Sequence, residues 1–488
     1  MHDTGRIGEH GKTATAGPLG NAPPAERRES AWRLLQKAIR GTAEDYTEGS
    51  LNRAVFLLSV PMVLEMVMES AFALTDVFFV GRLGPDAVAA VGLAESLLTV
   101  VYAVAMGRCM ATTALVARRI GEKRPEEAAR AAVQAVAVGL AVSLPFAVAG
   151  VAGSRGLLTL MGAPSSVVET GWGYAAWMLG GNATVVLLFL MNAIFRGAGD
   201  ATVAMRALWI ANAVNIVLDP CLIFGLGPFP ELGVTGAAIA TNVGRAVGVA
   251  YQVRTLVSAH GRLHVERRYL RPDRRLMLHL VRLSLGGVGQ FLIGTASWLG
   301  LVRILSLFGA AALAGYTIAL RIVVVALLPS WGMSNAVATL VGQNLGAGKP
   351  DRAERSVWIV GLYNMAVLLG VMALFLLEGE PLVALFSADP GVQRLGAQCL
   401  RVVSCGYAFY AWGMVLVQAF NGAGDTVTPT WINLGCYWLF QIPLALVLSR
   451  GLGYGPLGVF LAITLAESLL AVAGLLAFRH GAWKGKGV

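Results

Sequence analysis

Several oxygen-bearing side chains lie inside otherwise apolar stretches of this chain, at spacings able to hold a cation. Glu65, Glu69 and Asp76 fall within VPMVLEMVMESAFALTDVFFV, Asn215 and Asp219 within NIVLDP, and Thr241 within GAAIAT. On a helix, at 100° per residue, Glu69 stands about 40° and Asp76 about 20° from Glu65. The three acids then form one stripe over roughly 16 Å. Acids are costly in hydrocarbon, so such a stripe should face a cleft or a bundle interior. Asn215 and Asp219 are four apart and share a face. Pro220 cannot donate to the carbonyl of Ile216 and so leaves a further acceptor beside them. Carboxylate, amide, hydroxyl and carbonyl oxygens in this grouping suit either proton exchange or a hard cation such as Na⁺. Pro61, one turn below Glu65, gives the acidic helix a place to bend. A structural buried pair is the competing reading of Asp76 and Asp219. Glu65 and Glu69 read equally as substrate-facing charges or as partners of Arg108, Arg245, Arg303 or Arg321. Glu95 and Glu467 read as helix-interface polar groups. Trp177, Met178, Trp331, Met333, Tyr407, Tyr410 and Trp412 are mostly packing, though a cleft for lipophilic cations would draw on some of them.

The elements that must position these groups are set by composition. The chain has 488 residues, 56% hydrophobic and only 14% charged, with a mean hydropathy of +0.66. Soluble domains carry about a quarter charged residues, so the chain is an all-α membrane protein. Apolar stretches of about twenty or more residues predict twelve spans, near 54–80, 87–116, 128–152, 166–195, 203–225, 233–257, 278–306, 311–341, 354–378, 393–420, 428–449 and 456–479. The fourth is the weakest, diluted by Glu169, Gly171, Gly173, Gly180 and Gly181. Residues 1–53 form a polar tail without a signal-peptide core. Within it, residues 30–40 suit a short amphipathic helix on an anionic membrane surface or a nascent helix in a loose tail. The tract from His10 to Thr13 only imitates the end of a P-loop, since Arg6 stands where the first glycine belongs. Five cysteines and six histidines are too scattered for a disulfide framework or a metal centre. No acid has a histidine or cysteine partner at useful spacing, so no enzyme and no cofactor is expected. The formal charge of +10 sits in short gaps rather than on a nucleic-acid-binding face.

Those gaps also orient the chain. Arg118, Arg119, Lys123, Arg124 and Arg130 follow the second span, Arg262, Arg267, Arg268, Arg271, Arg274 and Arg275 the sixth, and Lys349, Arg352 and Arg355 the eighth. The alternate gaps hold little beyond Arg82, Arg155, Arg394 and Arg450. Both termini are therefore expected in the cytoplasm, with the chain in the inner membrane.

The sequence repeats itself. FRGAGD at 195–200 recurs as FNGAGD at 420–425, an offset of 225. The same offset aligns ALVARRIGEKRPEEAAR with TLVGQNLGAGKPDRAER and pairs Gly84 with Gly309 and Gly233 with Gly458. Two six-helix lobes are implied, 54–257 and 278–479, joined by a basic linker at 258–277 and followed by a short tail at 480–488. With an even number of spans each, they would be parallel repeats about an axis along the membrane normal, flanking a central cleft. In both GAGD turns the aspartate, Asp200 or Asp425, is expected to cap the following helix.

The stretch VPMVLEMVMESAFALTDVFFVGRLG, the LVARRIGEK loop with its GQNLGAGK partner, FRGAGD and FNGAGD, NIVLDPCLIFG and GVTGAAIAT together resemble the multidrug and toxic compound extrusion family, over about residues 54–479. The resemblance implies an antiporter that exports lipophilic, mostly cationic drugs or toxic metabolites in exchange for inward H⁺ or Na⁺; the sequence does not choose between the ions, and H⁺ is the one expected here. It implies amino-lobe ion coupling at Asp76, Asn215, Asp219 and Thr241, with Phe72 standing where some members have a tyrosine. At offset 225, Asp76 faces Leu301, Asp219 faces Leu444 and Glu65 faces Gln290, which favours the DinF-like branch over the NorM-like one. Small organic cations and lipids are the expected partners, without nucleic acid, and the chain is expected to be a monomer. A lipid-linked oligosaccharide flippase of related architecture is the alternative, disfavoured by the acid-striped first helix.

Overall fold

The computed structural model describes residues 30–42, 44–258 and 262–487; the P-loop-like tract lies outside them. Among the described residues there is no strand. A short helix, α1 (Ala31–Arg40), precedes the first half, which comprises α2 (Leu51–Gly81), α3 (Pro85–Gly121), α4 (Pro125–Leu160), α5 (Ser165–Gly180), α6 (Asn182–Gly197), α7 (Ala201–Phe224) and α8 (Val234–Val257). The second half comprises α9 (Arg274–Leu305), α10 (Ala310–Gly346), α11 (Pro350–Ala384), α12 (Pro390–Ser404), α13 (Tyr407–Gly422), α14 (Val427–Asn433), α15 (Ile442–Leu446) and α16 (Pro456–His480). Proline opens α3, α4, α11, α12 and α16, where its missing N–H costs nothing.

These helices make twelve crossings. Nine are single helices long and apolar enough to span, counting Val427–Gly451 as one. Two more are bent pairs: α5 with α6, by 42°, and α12 with α13, by 61°. The weak fourth stretch is thus a span broken at Gly181, and its repeat is broken at Cys405–Gly406. The twelfth, α8, is the least apolar, carrying Thr241, Asn242, Arg245, Gln252 and Arg254.

Pseudo-twofold symmetry is written in the close helix crossings. A Cβ on Gly107 of α3 would lie 2.4 Å from the backbone nitrogen of Val288 in α9; one on Gly332 of α10 would lie 2.5 Å from the carbonyl of Met62 in α2. Nearer the basic loops, a Cβ on Gly121 would stand 2.0 Å from the Gln343 carbonyl, and one on Gly346 2.2 Å from the Arg118 carbonyl. Each pair is related by the offset of 225. Only glycine lets backbones approach this closely, as at small-residue helix contacts in membranes. The two halves are therefore sealed against each other along α3 and α10 at the basic end.

The repeat drifts in its last two spans. Between Val427 and Gly451 the chain winds as π-helix over Leu434–Gln441 and Val447–Gly451, and each π segment takes up an extra residue. The loop that follows, 452–455, is shorter than its counterpart 225–233. As a result Gly233, with φ 56°, matches Gly455, with φ 58°, and not Gly458. The offset falls to 222 through α16. Asn242 and Thr464, so related, lie against the hinge glycines Gly181 and Gly406.

The GAGD turns differ in detail. Asp425 accepts the amide of Thr428 at 3.2 Å, as a cap should. Asp200 instead accepts the hydroxyl of Thr202 at 2.8 Å and caps no amide.

Candidate functional site

Three polar regions occupy the interior. The first lies within the first half, where α7 and α8 cross so closely that a Cβ on Gly244 would lie 2.4 Å from the Ala211 carbonyl. That approach lets the short Thr241 side chain reach across. Asn215 donates to the Thr241 hydroxyl at 3.1 Å and to Asp219 Oδ1 at 3.3 Å. Asp219 is fully buried, Asn215 is 2% exposed and Thr241 6%. Asp219 Oδ2 and Asn215 Oδ1 find no hydrogen-bond donor among the described residues. Asp76, half-buried on α2, lies within electrostatic reach of Asp219. Arg245 faces this group from α8, near Asp76 and Glu69 and against the Tyr102 hydroxyl. Glu95 also comes within reach of Asp76 and of Arg321. Pro220 sits inside α7 directly after Asp219.

The second region is the central cavity between the halves, about 210 Å³, walled by Glu65, Glu69, Arg196, Phe291, Trp331 and Gln418 among others. Glu65 is 1% exposed. It accepts from Asn192 at 2.9 Å, and the Arg196 guanidinium stands 3.7 Å away. Gln252 holds Asn192 from behind at 2.5 Å. Glu69 accepts from Asn212 at 3.3 Å. The acidic stripe is therefore divided, with Glu65 and Glu69 on the cavity and Asp76 inside the first half. Phe72, half-buried, does not line that cavity, and Pro61 is buried within α2 one turn below Glu65.

Arg196 was not among the arginines singled out as partners for the glutamates. Of those, Arg108 spends its donors on the carbonyls of Val138 and Ala135 in α4. The sequence did contain the signal. At offset 225 Glu65 becomes Gln290 and Arg196 becomes Asn421, and Gln290 donates to Asn421 Oδ1 at 3.0 Å. Both members of a charge pair change together into both members of an amide pair. Read only as a turn motif, FRGAGD hid this.

The third region is in the second half. Glu467 of α16, expected at a helix interface, instead lies on the wall of two adjoining cavities of about 250 and 490 Å³. Among the described residues no group of three or more His, Cys, Asp or Glu side chains is arranged to hold a metal ion.

Comparison with known proteins bears on this arrangement. The MatE family model matches residues 61–221 and 289–447, one block in each half. The chain belongs to the MatE family. A probable multidrug resistance protein NorM of Thermotoga maritima is 26% identical over 90% of this chain and 94% of its own length. The FAD transporter of Shewanella oneidensis is 25% identical over 87% of the chain and 93% of its length. Among solved structures, an outward-facing multidrug resistance MATE transporter of the MOP superfamily superposes with a TM-score of 0.84 at 26% identity, covering 92% of this chain and 99% of that one. The chain is a multi-pass membrane transporter of this family of multidrug efflux proteins.

Proposed function

We propose that this MatE protein is a secondary antiporter that exports lipophilic organic cations in exchange for inward H⁺ or Na⁺, with the coupling ion held at Asp76, Asn215, Asp219 and Thr241. The observation that carries this reading is the set of unsatisfied acceptors in the first half, Asp219 Oδ2 and Asn215 Oδ1, beside a second carboxylate. Buried acceptors without donors are expensive, so a group that fills them stabilises the state it binds. A proton or Na⁺ does this and also removes the repulsion between Asp76 and Asp219. Leu301 and, at the offset of 226 reached after the first π segment, Ala445 stand where the first half has Asp76 and Asp219, which supports coupling in one lobe, as in the DinF-like branch.

Cargo sign follows from the central cavity. On the cavity wall Arg196 is matched by Glu65 and Glu69 is the remaining charge, with Arg245 near it from behind that wall. That balance favours a cation over an anionic cargo such as the one named for the Shewanella relative. The basic loops support an inner-membrane protein with both termini in the cytoplasm. The helices seal at that end, so cargo leaves from the opposite one. Ion and cargo each shift one two-state equilibrium by their differential affinity, and their coupling is reciprocal. Bending of α2 at Pro61 supplies the moving part.

The test is export of a fluorescent organic cation from proteoliposomes, driven separately by a pH and by a Na⁺ gradient. Gradient-driven export by the parent chain is expected. Full transport by folded Asp76→Asn and Asp219→Asn proteins would refute the assigned ion site.

A further inference from the structure

We infer that the second half holds its own binding site for a quaternary or tertiary organic ammonium, an aromatic box closed by Glu467. The 250 Å³ cavity there is walled by Tyr316, Tyr407, Tyr410, Tyr437 and Trp298, with Glu467 at one side. Rings present negative faces to a cation, and desolvated cation–π contacts are the strongest of their kind. Glu467 supplies the neutralising charge. Its only hydrogen-bond donor is the Tyr437 hydroxyl, at 3.1 Å, and no arginine or lysine pairs with it among the described residues. The Tyr407 hydroxyl, on a side chain 1% exposed, has no partner among the described residues either and offers a further acceptor. An unpaired carboxylate in an aromatic wall is costly, so the site favours whatever neutralises it, a proton when empty and an ammonium when occupied.

The box is connected to the rest of the transporter. Trp298, Tyr410, Tyr437 and Glu467 also line the 490 Å³ cavity, which shares Met110, Phe291, Trp331 and Gln418 with the central one. The cavities from the Glu69 region to Glu467 thus adjoin through shared walls. An organic cation fits better than Na⁺, because the lining is dominated by rings and supplies few converging oxygens.

The inference rests on the transport reading only for the cargo's charge, and equilibrium binding tests it without any gradient. Benzyltrimethylammonium and its uncharged carbon isostere, neopentylbenzene, are titrated against the full chain in detergent, with ²²Na⁺ binding measured in parallel. Glu467→Gln should weaken benzyltrimethylammonium binding by about thirtyfold or more and leave the isostere unchanged. Tyr410→Leu, on another wall, should weaken the cation about three- to thirtyfold. Glu126→Gln, an exposed acid in the first turn of α4, should bind it as the parent does. The inference is overturned if Glu467→Gln binds both ligands like the parent or loses both equally. It is also overturned if Glu467→Gln loses ²²Na⁺ alone, or if Tyr410→Leu leaves cation binding intact. Failure of the transport reading looks different, since the parent would then bind the cation yet show no gradient-driven export.

Discussion

The two halves share a backbone and differ in their charges. Glycines at 107 and 332, and at 121 and 346, make equivalent crossings with almost equal clearances. The ionisable groups of the helix-bundle interior do not repeat. Asp76 is matched by Leu301, Glu65 by Gln290, Arg196 by Asn421 and, at the shifted offset of α16, Arg245 by Glu467. Where the first half gathers several acids around an arginine, the second has one acid among tyrosines. Close packing constrains both copies alike, because any side chain at a crossing glycine collides with backbone. Interior charge is constrained only by what it binds, so each copy can keep a different chemistry on one scaffold.

The sharpest break of this comparison is functional. Asp219→Asn and Asp76→Asn should each lower gradient-driven export by about a hundredfold, while Ala445→Asn and Leu301→Asn, at the matching places of the second half once the first π segment has moved the offset to 226, should change it no more than about twofold. Initial rates in proteoliposomes, normalised to protein that elutes as a single species, decide it. Equal losses in both halves would mean that coupling is shared.

Next in size is the charge pair against its amide replica. Glu65→Ala leaves the Arg196 guanidinium without its carboxylate at a site where Glu65 is almost wholly buried. The expected loss is about 3–5 kcal/mol. The matching Gln290→Ala removes only neutral hydrogen bonds, for about 1–3 kcal/mol. A Glu65→Gln/Arg196→Asn double variant rebuilds in the first half the amide pair of the second and should recover most of the stability that either single variant loses. Thermal unfolding in detergent gives the coupling energy. If the two single losses simply add, the pair does not act as a unit.

Much of this architecture was legible before any coordinates. Hydropathy gave the twelve crossings because hydrocarbon demands long apolar helices, and the 225 offset gave the lobes. Asn215 and Asp219 were legible as a pair because a four-residue spacing fixes a helix face, whereas Thr241, on another helix, joined them only through the family resemblance. What sequence hid was anything that depends on winding or on facing helices. Two π-helical stretches followed by a much shorter loop move the repeat register by α16, which concealed the match of Arg245 with Glu467. Arg196 lay inside a motif already explained as a turn, and Glu467 looked like an interface group because nothing in one dimension shows a cavity behind it. The acidic stripe was right in angle. Its division between cavity and lobe interior is a property of the neighbours of α2.

The interlobe seal offers a structural test of the symmetry. Gly121→Ala and Gly346→Ala each place a methyl about 2.0–2.2 Å from a carbonyl of the facing half and should cost about 1–3 kcal/mol. Their effects should match within about 0.5 kcal/mol. Gly435→Ala, whose Cβ meets nothing within 4 Å, is the control. A large inequality between Gly121 and Gly346 in thermal melts would show that the seal is less symmetric than the backbone.

The smallest effect lies in the basic loops. Lys123 holds a left-handed backbone, φ 60°, where its repeat partner is Gly348 at φ 68°. Lysine tolerates that conformation worse than glycine by about 1 kcal/mol. The Lys123 side chain pairs with Asp45 in the segment before α2, an exposed contact worth about 0–1 kcal/mol. Lys123→Gly, which makes the two loops alike, should therefore change stability by no more than about 1 kcal/mol at neutral pH. The pH dependence is more telling. Burial alone would raise the Asp45 carboxyl, but the Lys123 ammonium and the Thr47 hydroxyl and amide outweigh it and lower its pKa from 3.8 to about 2. A carboxyl lowered by folding stabilises above its unfolded value and loses that contribution as pH falls through the folded one. The Lys123 share should fade between about pH 4 and 2, so Lys123→Gly should gain on the parent across that window. A stability difference that stays constant from pH 6 to pH 2 would mean that the backbone alone distinguishes the two loops.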